Sequence, residues 1–257
     1  VCESLTCSLF GSEKLYEELS NKYKGKARVL KAPCMGKCDY APALEVEHNH
    51  VDNATIDKVD QVITSKSFHP IISKFIDLEN YISNGGYSLF KKLKSKEVTY
   101  EEISKVISES NLRGLGGAGF PASKKWEFVR ANKGPRMMCI NGDEGEVGTF
   151  KDKYYLDTDP HRFLEGTLIA AHIVEAEKCF IYMRDEYPGI IKILREEVKK
   201  LIKKGFVEEN FIEVRRGAGA YICGEESALI ESVEGKRGIP RHRPPYVAQN
   251  GVYGLPT

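Results

Sequence analysis

The sequence has no apolar run approaching the ~20 residues that a membrane-spanning helix needs. It also has no excess of either charge: 38 Lys and Arg stand against 37 Asp and Glu, a formal net charge of +1. The first absence argues against a helical membrane span. The second removes any general pull toward nucleic acid or an anionic membrane surface. No segment repeats at a fixed period, and none is of low complexity. No signal peptide is visible, and without an initiating Met the start reads as trimmed. The basic run "KKLKSK" (Lys91 to Lys96) reads as a solvated helix face. The 257 residues allow two domains or one large one, and the chain reads as cytoplasmic. What it does have is cysteine: seven, an odd number, four of them within the first 38 residues. That is not a disulfide framework, and such crowding in a cytosolic chain points to metal or redox chemistry.

The four crowded cysteines form two pairs. Cys2 and Cys7 are spaced C-x4-C, and Cys34 and Cys38 are spaced C-x3-C. Zinc ribbons favour two C-x2-C pairs, and ferredoxins use other runs. Four thiolates on two short loops can hold a [2Fe–2S] cluster, two per iron; zinc and unliganded thiols remain open. Between and after the pairs, Ser12 is expected to cap "EKLYEELSNKYK", with Leu15, Leu19 and Tyr23 on one face and Gly25 as its stop. "KARVLKAP" and "ALEVEH" read as strands, with a polar hairpin turn at "HNH" taking His48 and His50. Thr55 opens a helix with Ile56, Val59 and Ile63 on one side. Loop, helix, strand, loop, strand, turn, helix is a thioredoxin-like order.

Further on, "NLRGLGGAGFP" (Asn111 to Pro121) contains G-x-G-x-x-G at Gly114, Gly116 and Gly119. A dinucleotide-binding Rossmann loop of this spacing follows a strand. Here the preceding "TYEEISKVISES" reads as a helix, with a Thr99/Glu102 capping box and Ile103, Val106 and Ile107 on one face. The glycines indicate backbone that passes close to something or takes φ > 0, in a setting other than the usual phosphate turn.

After this loop come "KKWEFV" and an apolar strand "RMMCIN", followed by "GDEGEVGTF" with Asp143, Glu144 and Glu146. In open α/β sheets such a turn, past the carboxyl end of a strand, faces ligands. Next are a helix "HRFLEGTLIAAHIVEA", a strand "CFIYMR", a helix from Pro188 to a stop at Gly205, and a strand "FIEVRR". "GAGAYICGEES" then opens a helix stopped by Gly235, with Glu225 and Glu226 in its first turn. The alternation predicts a parallel sheet with helices on both faces. Cys139, Cys179 and Cys223 are expected to pack as buried apolar side chains.

"LRGLGGAGFPASKKW", "NGDEGEVGTFKD", "GAGAYICGEESALIESVEGKRGIPR" and "RPPYVA" resemble the NADH- and FMN-binding flavoprotein subunit of respiratory complex I and its soluble relatives. The N-terminal cysteine pattern resembles the thioredoxin-like [2Fe–2S] domain of the same family, usually a separate subunit in complex I. The fused arrangement, with "YMRDEYP" and "RHRPPYVAQ", is most similar to the beta (diaphorase) subunits of soluble NAD-dependent formate dehydrogenases. Diaphorase subunits of NAD-reducing hydrogenases come next. The implied fold is α/β: a thioredoxin-like [2Fe–2S] domain over residues 1–66, a linker over 67–98, and a Rossmann-like FMN/NADH-binding domain over 99–257.

The resemblance also implies roles. Cys2, Cys7, Cys34 and Cys38 would hold the cluster. Gly114, Leu115, Gly116, Lys125, Asn141, Asp143, Glu144, Tyr221, Gly224 and Glu225 would hold FMN. Phe120, Phe128, Glu146, Glu226, Arg243 and Tyr246 would line the NAD pocket, although relatives often carry Lys and Phe in place of Arg243 and Tyr246. Hydride would pass between nicotinamide and flavin, and single electrons through iron–sulfur clusters, with no side chain acting as a strong acid or base. The implied partners are catalytic and iron–sulfur subunits of a multi-subunit oxidoreductase and NAD(H), without nucleic acid or membrane insertion. A first thioredoxin-like strand is expected ahead of Val1, and a [4Fe–4S] domain only beyond Thr257. A non-enzymatic zinc-binding or electron-relay module is the contrasting reading.

Overall fold

A computed structural model describes residues 1–257. The N-terminal part begins with a short helix α1 (Leu5–Leu9) that carries Cys7, followed by α2 (Ser12–Lys22). Leu15 and Leu19 of α2 are buried and Tyr23 packs beside them, as the spacing predicts. Ser12 is not the cap: Gly11 occupies that position at φ +87°, and the buried Ser12 hydroxyl has no partner. "KARVLKAP" forms only a single parallel bridge, Ala32 to Cys2. Val29 and Ala32 pack inward while Arg28, Leu30 and Lys31 are exposed, and Pro33 lacks an N–H to extend a ladder.

The hairpin β1 (Leu44–Val46) and β2 (Asn49–Val51) follows. Of the expected "HNH" turn only His48 lies in the turn; Asn49 and His50 are in β2. The Thr55 hydroxyl accepts from Lys58 N–H and caps α3 (Ile56–Ser65), whose Val59 completes a core with Leu15, Leu19, Leu44 and Val51.

Residues 67–98, expected as a linker, hold two helices, α4 (Leu78–Ser83) and α5 (Ser88–Lys94). Leu78, Tyr87 and Phe90 enter the largest core of the chain, so the second half of this stretch is packed structure, while residues 67–77 run without helix or strand. The capping box at Thr99 and Glu102 forms as expected and opens α6 (Tyr100–Glu109). Ile103 is buried, but Val106 is exposed. After the Gly-rich loop comes α7 (Ala122–Arg130).

Three strands, β3 (Arg136–Gly142), β4 (Ala176–Met183) and β5 (Ile212–Arg216), form a parallel sheet in the order β3-β4-β5. The connections are α8 (Lys151–Thr158) with α9 (Pro160–Val174), then α10 (Pro188–Lys203). The last helix is α11 (Glu226–Val233). Central β4 alternates as a two-sided strand must. Cys179, Ile181 and Met183 pack with Leu164 and Leu168 of α9 and Ile190, Leu194 and Leu201 of α10. Phe180 and Tyr182 pack on the other face with Leu229, Ile230 and Val233 of α11. Truncating one of these fully buried leucines to Ala costs about 2–5 kcal/mol. Helices therefore cover both faces, and the α/β class holds.

Candidate cofactor sites at one sheet edge

Because the three strands are parallel, their carboxyl ends open at one edge. Gly142 of β3 pairs with Met183 of β4, and Met183 with Arg216 of β5. The turns leaving those ends converge. Asn141 Nδ2 donates to Gly224 O at 2.8 Å, and its Oδ1 accepts from Asp143 N–H at 3.1 Å. A Cβ on Gly145 would sit 3.2 Å from the exposed Tyr221 ring. The structure thus brings Asn141, Asp143, Tyr221 and Gly224 together.

Five carboxylates are expected here, and they divide. Glu144 is buried, with its oxygens used inside the fold. They accept from Asp152 N–H (2.7 Å), Lys153 N–H (3.3 Å) and Tyr187 Oη (3.0 Å). Its carboxylate holds the start of α8, and only its backbone borders the turn. Glu225 caps α11: one oxygen accepts from Ser227 N–H (3.0 Å) and Ala228 N–H (2.9 Å), and the other meets Arg243. Burial works to raise the Glu225 pKa, but these hydrogen bonds and the Arg243 charge outweigh it and lower it. Asp143, Glu146 and Glu226 remain available. Burial pushes Asp143 up to about 6 against the pull of Arg184. Glu146 is exposed, and Glu226 pairs with Arg243 at 3.0 Å.

The Gly-rich loop is a second group. Its neck is closed by Gly114 N–H to Phe120 O and Ala122 N–H to Leu112 O, both 2.9 Å, and by Arg113 donating to Gly119 O at 3.0 Å. Gly117 (φ +98°) and Gly119 (φ +60°) take the left-handed region, and a Cβ on Gly116, Gly117 or Gly119 would meet open space. Leu115 is 81% exposed, and Lys125 is exposed on α7. Phe120 and Phe128, both exposed, face each other at 6.0 Å between ring centroids. Tyr246 is likewise exposed. No hydrogen bond joins this loop to the 143–148 or 221–225 turns. Bare, open backbone beside a pair of rings suits an extended aromatic ligand.

The thiols of the N-terminal part meet across its two loops. Cys34 Sγ and Cys38 Sγ are 3.5 Å apart. Cys34 also neighbours the Cys2 thiol, and Cys2 neighbours Cys7. Cys2, Cys7 and Cys34 are buried and Cys38 partly so. The Cys2 thiol hydrogen bond pulls Cys34 down to about 5, against burial and with help from the N–H groups of Gly36 and Gly148. Burial raises Cys38, opposed by Gly148 N–H and the Thr6 hydroxyl. No three His, Cys, Asp or Glu side chains surround one metal-ion position. A binuclear cluster asks instead for two thiolates per iron and N–H groups aimed at sulfur, and this all-sulfur set fits it.

Gly148 belongs to the turn after β3, so the cluster loop sits at the same sheet edge. Two further residues join them. Arg184 Nη1 donates to Glu144 O at 2.5 Å and Nη2 to Cys34 O, while the Tyr187 ring packs against Gly36. Both lie in "YMRDEYP", yet sequence reasoning gives them no role. The available signal is an Arg placed directly after an apolar strand, at the ligand-facing end. The 860 Å³ cavity lined by Phe90, Leu93, Tyr100 and Phe211 borders Ala176 and Glu177, at the opposite end of β4, and takes no part.

The family model described as the Nuo51 FMN-binding domain matches residues 107–255. The chain belongs to the Nuo51 FMN-binding domain family. The model for the thioredoxin-like [2Fe–2S] ferredoxin matches residues 1–67 of this Nuo51-family chain. An NADH-quinone oxidoreductase subunit of Aquifex aeolicus is 47% identical over 188 residues, covering 70% of this chain and 44% of that protein. The mitochondrial NADH dehydrogenase [ubiquinone] flavoprotein 1 of Dictyostelium discoideum is 42% identical over 191 residues, 70% of this chain and 40% of that one. An NAD+-reducing [NiFe]-hydrogenase in the air-oxidised state superposes over 99% of this chain and 48% of its own, with TM-score 0.84 and 29% identity. The chain therefore spans less than half the length of these relatives. No helix is long and apolar enough to cross a membrane.

Proposed function

We propose that this chain is the NAD(H)- and FMN-binding part of a diaphorase-type electron-transfer subunit. One observation carries the reading: the four-thiol loops and the flavin turns share one sheet edge, joined through Cys34, Arg184 and Glu144. Bound FMN would exchange a hydride with nicotinamide and pass electrons singly to iron–sulfur centres. The protein supplies position and enclosure. Asn141, Asp143, Tyr221 and Gly224 frame the flavin from the strand ends, and Gly114, Leu115, Gly116 and Lys125 from the loop. Glu144 and Glu225 hold the turns by their own hydrogen bonds. Phe120 and Phe128 offer faces for adenine, with Tyr246 beside the pocket. Glu226 and Glu146 are available to ribose hydroxyls, and Arg243 orients Glu226.

For the electron donor the reading is formate oxidation coupled to NAD+ reduction in the cytoplasm. It rests on the similarity of "GDEGE", "YMRDEYP" and "RHRPPYVAQ" to formate dehydrogenase beta subunits. The end-to-end superposition on the hydrogenase chain favours a second donor, hydrogen, and the NADH-quinone oxidoreductase relatives favour quinone reduction. Purifying the native enzyme with its companion subunits and assaying NAD+ reduction with formate and with hydrogen, and NADH oxidation with a quinone, separates the three. Iron, zinc and FMN analysis of the same enzyme and of a variant with Cys2, Cys7, Cys34 and Cys38 replaced by Ser tests the module itself, with about two irons fewer expected in the variant. Stoichiometric zinc without iron would favour the non-enzymatic module.

A further inference from the structure

The guanidinium of Arg184 lies where the two halves of the chain meet, and the residue is 2% exposed. Nη1 donates to Glu144 O at 2.5 Å, Nη2 donates to Cys34 O, and Nε donates to Glu186 at 3.2 Å. The plane lies 4.9 Å from the centroid of the Tyr187 ring. Tyr187, also buried, donates its hydroxyl to Glu144 Oε1 at 3.0 Å. The same ring fills the space over Gly36, where φ is +64° and any Cβ would collide with it. From the other side, the Gly148 backbone lies beside the thiols of Cys34 and Cys38.

A buried cation is tolerated only while its donors are satisfied. Arg184 meets that demand with carbonyls from two different loops, separated by 110 positions in the chain between Cys34 and Glu144. Its rigid fork reaches both at once; a Lys ammonium on a flexible stem satisfies one such point. Glu186 balances the charge, but moving either loop alone leaves one buried guanidinium N–H group without its acceptor.

We propose that Arg184, seated by Tyr187, is a positioning residue that locks the cluster loop (33–38) to the flavin turn (143–148). The mutual placement of cluster and flavin is then set through the backbone of the two loops, by Arg184 together with the Tyr187 ring. This rests on the reading of these loops as cofactor loops. A fixed cation near the thiolates also contributes to the cluster's reduction potential, which follows net charge and hydrogen bonding to sulfur.

The test uses the full-length native enzyme and its Arg184→Lys and Tyr187→Phe variants. Amide hydrogen exchange is followed in peptides spanning 33–38 and 143–150, alongside the EPR spectrum of the dithionite-reduced cluster and NAD(H) affinity. Arg184→Lys is expected to speed exchange about tenfold or more in both segments together, as loss of charged hydrogen bonds implies. The reduced-cluster signal should shift while NAD(H) affinity stays the same. Tyr187→Phe should produce a smaller rise centred on 143–150. Exchange that rises in only one segment, or in neither, with an unchanged EPR spectrum, overturns the proposal. If Arg184→Lys does not fold, Gly36→Ala decides: displacing the Tyr187 ring from the cluster side should speed exchange in 143–150, and unchanged exchange there overturns it. Wild-type enzyme without flavin or iron would sink the cofactor reading instead, since exchange coupling is read on the chain itself.

Discussion

Asn141 is tied through its side-chain amide to the carbonyl of Gly224, 83 positions away, at 2.8 Å. The same side chain accepts from Asp143 N–H, so one residue joins the turn after β3 to the turn before α11. Asn141→Ala should cost only about 1 kcal/mol of stability, because the group is exposed. Its larger effect should be on flavin, with FMN affinity falling roughly tenfold as the two turns part. Fluorescence titration of the apoenzyme with FMN measures this. Affinity equal to wild type would show that the turns hold their places without Asn141.

Asp143 offers a test by pH. Its carboxyl is raised from 3.8 to about 6 by burial, partly offset by Arg184. Between those values the folded protein keeps a proton that the unfolded chain has released, so stability contributed by this group falls as pH rises through the window. Asp143→Asn removes the cost of burying the anion. The variant should melt above wild type at pH 7 and match it near pH 4, the gap opening in between. A melting difference that is constant with pH would show that the carboxyl is not raised.

Within the core, Tyr87 Oη, His161 and Glu197 form a buried chain. Tyr87 is 2.9 Å from His161 Nδ1, and His161 Nε2 is 2.8 Å from Glu197 Oε2. Burial lowers the His161 pKa, so the neutral ring donates from Nε2 and accepts at Nδ1. Glu197→Ala leaves that N–H unpaired beside a void and should cost about 2–4 kcal/mol in urea denaturation. Glu197→Gln, which keeps an acceptor, should cost clearly less. Equal losses would contradict the hydrogen-bonded chain.

Much of this architecture is written locally. The Thr99/Glu102 box, the start of α10 at Pro188 and its stop at Gly205 (φ +74°), and the apolar run of β4 all appear where the sequence places them. Period and capping need only neighbouring residues. "KARVLKAP" has β-compatible residues and packs Val29 and Ala32 inward, yet it pairs only with Val1–Glu3 and stays a lone bridge. The convergence of Asn141, Asp143, Tyr221 and Gly224 was legible by residue type and less so by contact. Glu144 looks like a ligand from "GDEGE", yet Tyr187, 43 positions later, takes its carboxylate. Arg184 shows its function only when the Cys34 carbonyl is seen beside it. Such pairings are set by tertiary placement, which no periodicity encodes.

The proposed NAD pocket puts cofactor choice on Glu226. It is half exposed and held by Arg243 at 3.0 Å. A carboxylate accepts from the ribose 2′-OH of NAD, whereas the 2′-phosphate of NADP would meet like charge. Arg243 and solvent soften that repulsion, so Glu226→Gln should raise the NADP-to-NAD ratio of kcat/KM by about tenfold rather than thousands. Steady-state kinetics with both nucleotides decides. An unchanged ratio would leave Glu226 as a first-turn acid of α11, favourable there by less than ~1 kcal/mol.

On the proposed function, the edge formed by β3, β4 and β5 holds a flavin that NADH reduces beside the four-cysteine cluster. Anaerobic titration of the native enzyme with NADH, followed in the visible, tests it directly. With FMN and iron both verified in the sample, the flavin band should bleach stoichiometrically with NADH. A flavin band that NADH leaves untouched would contradict the account.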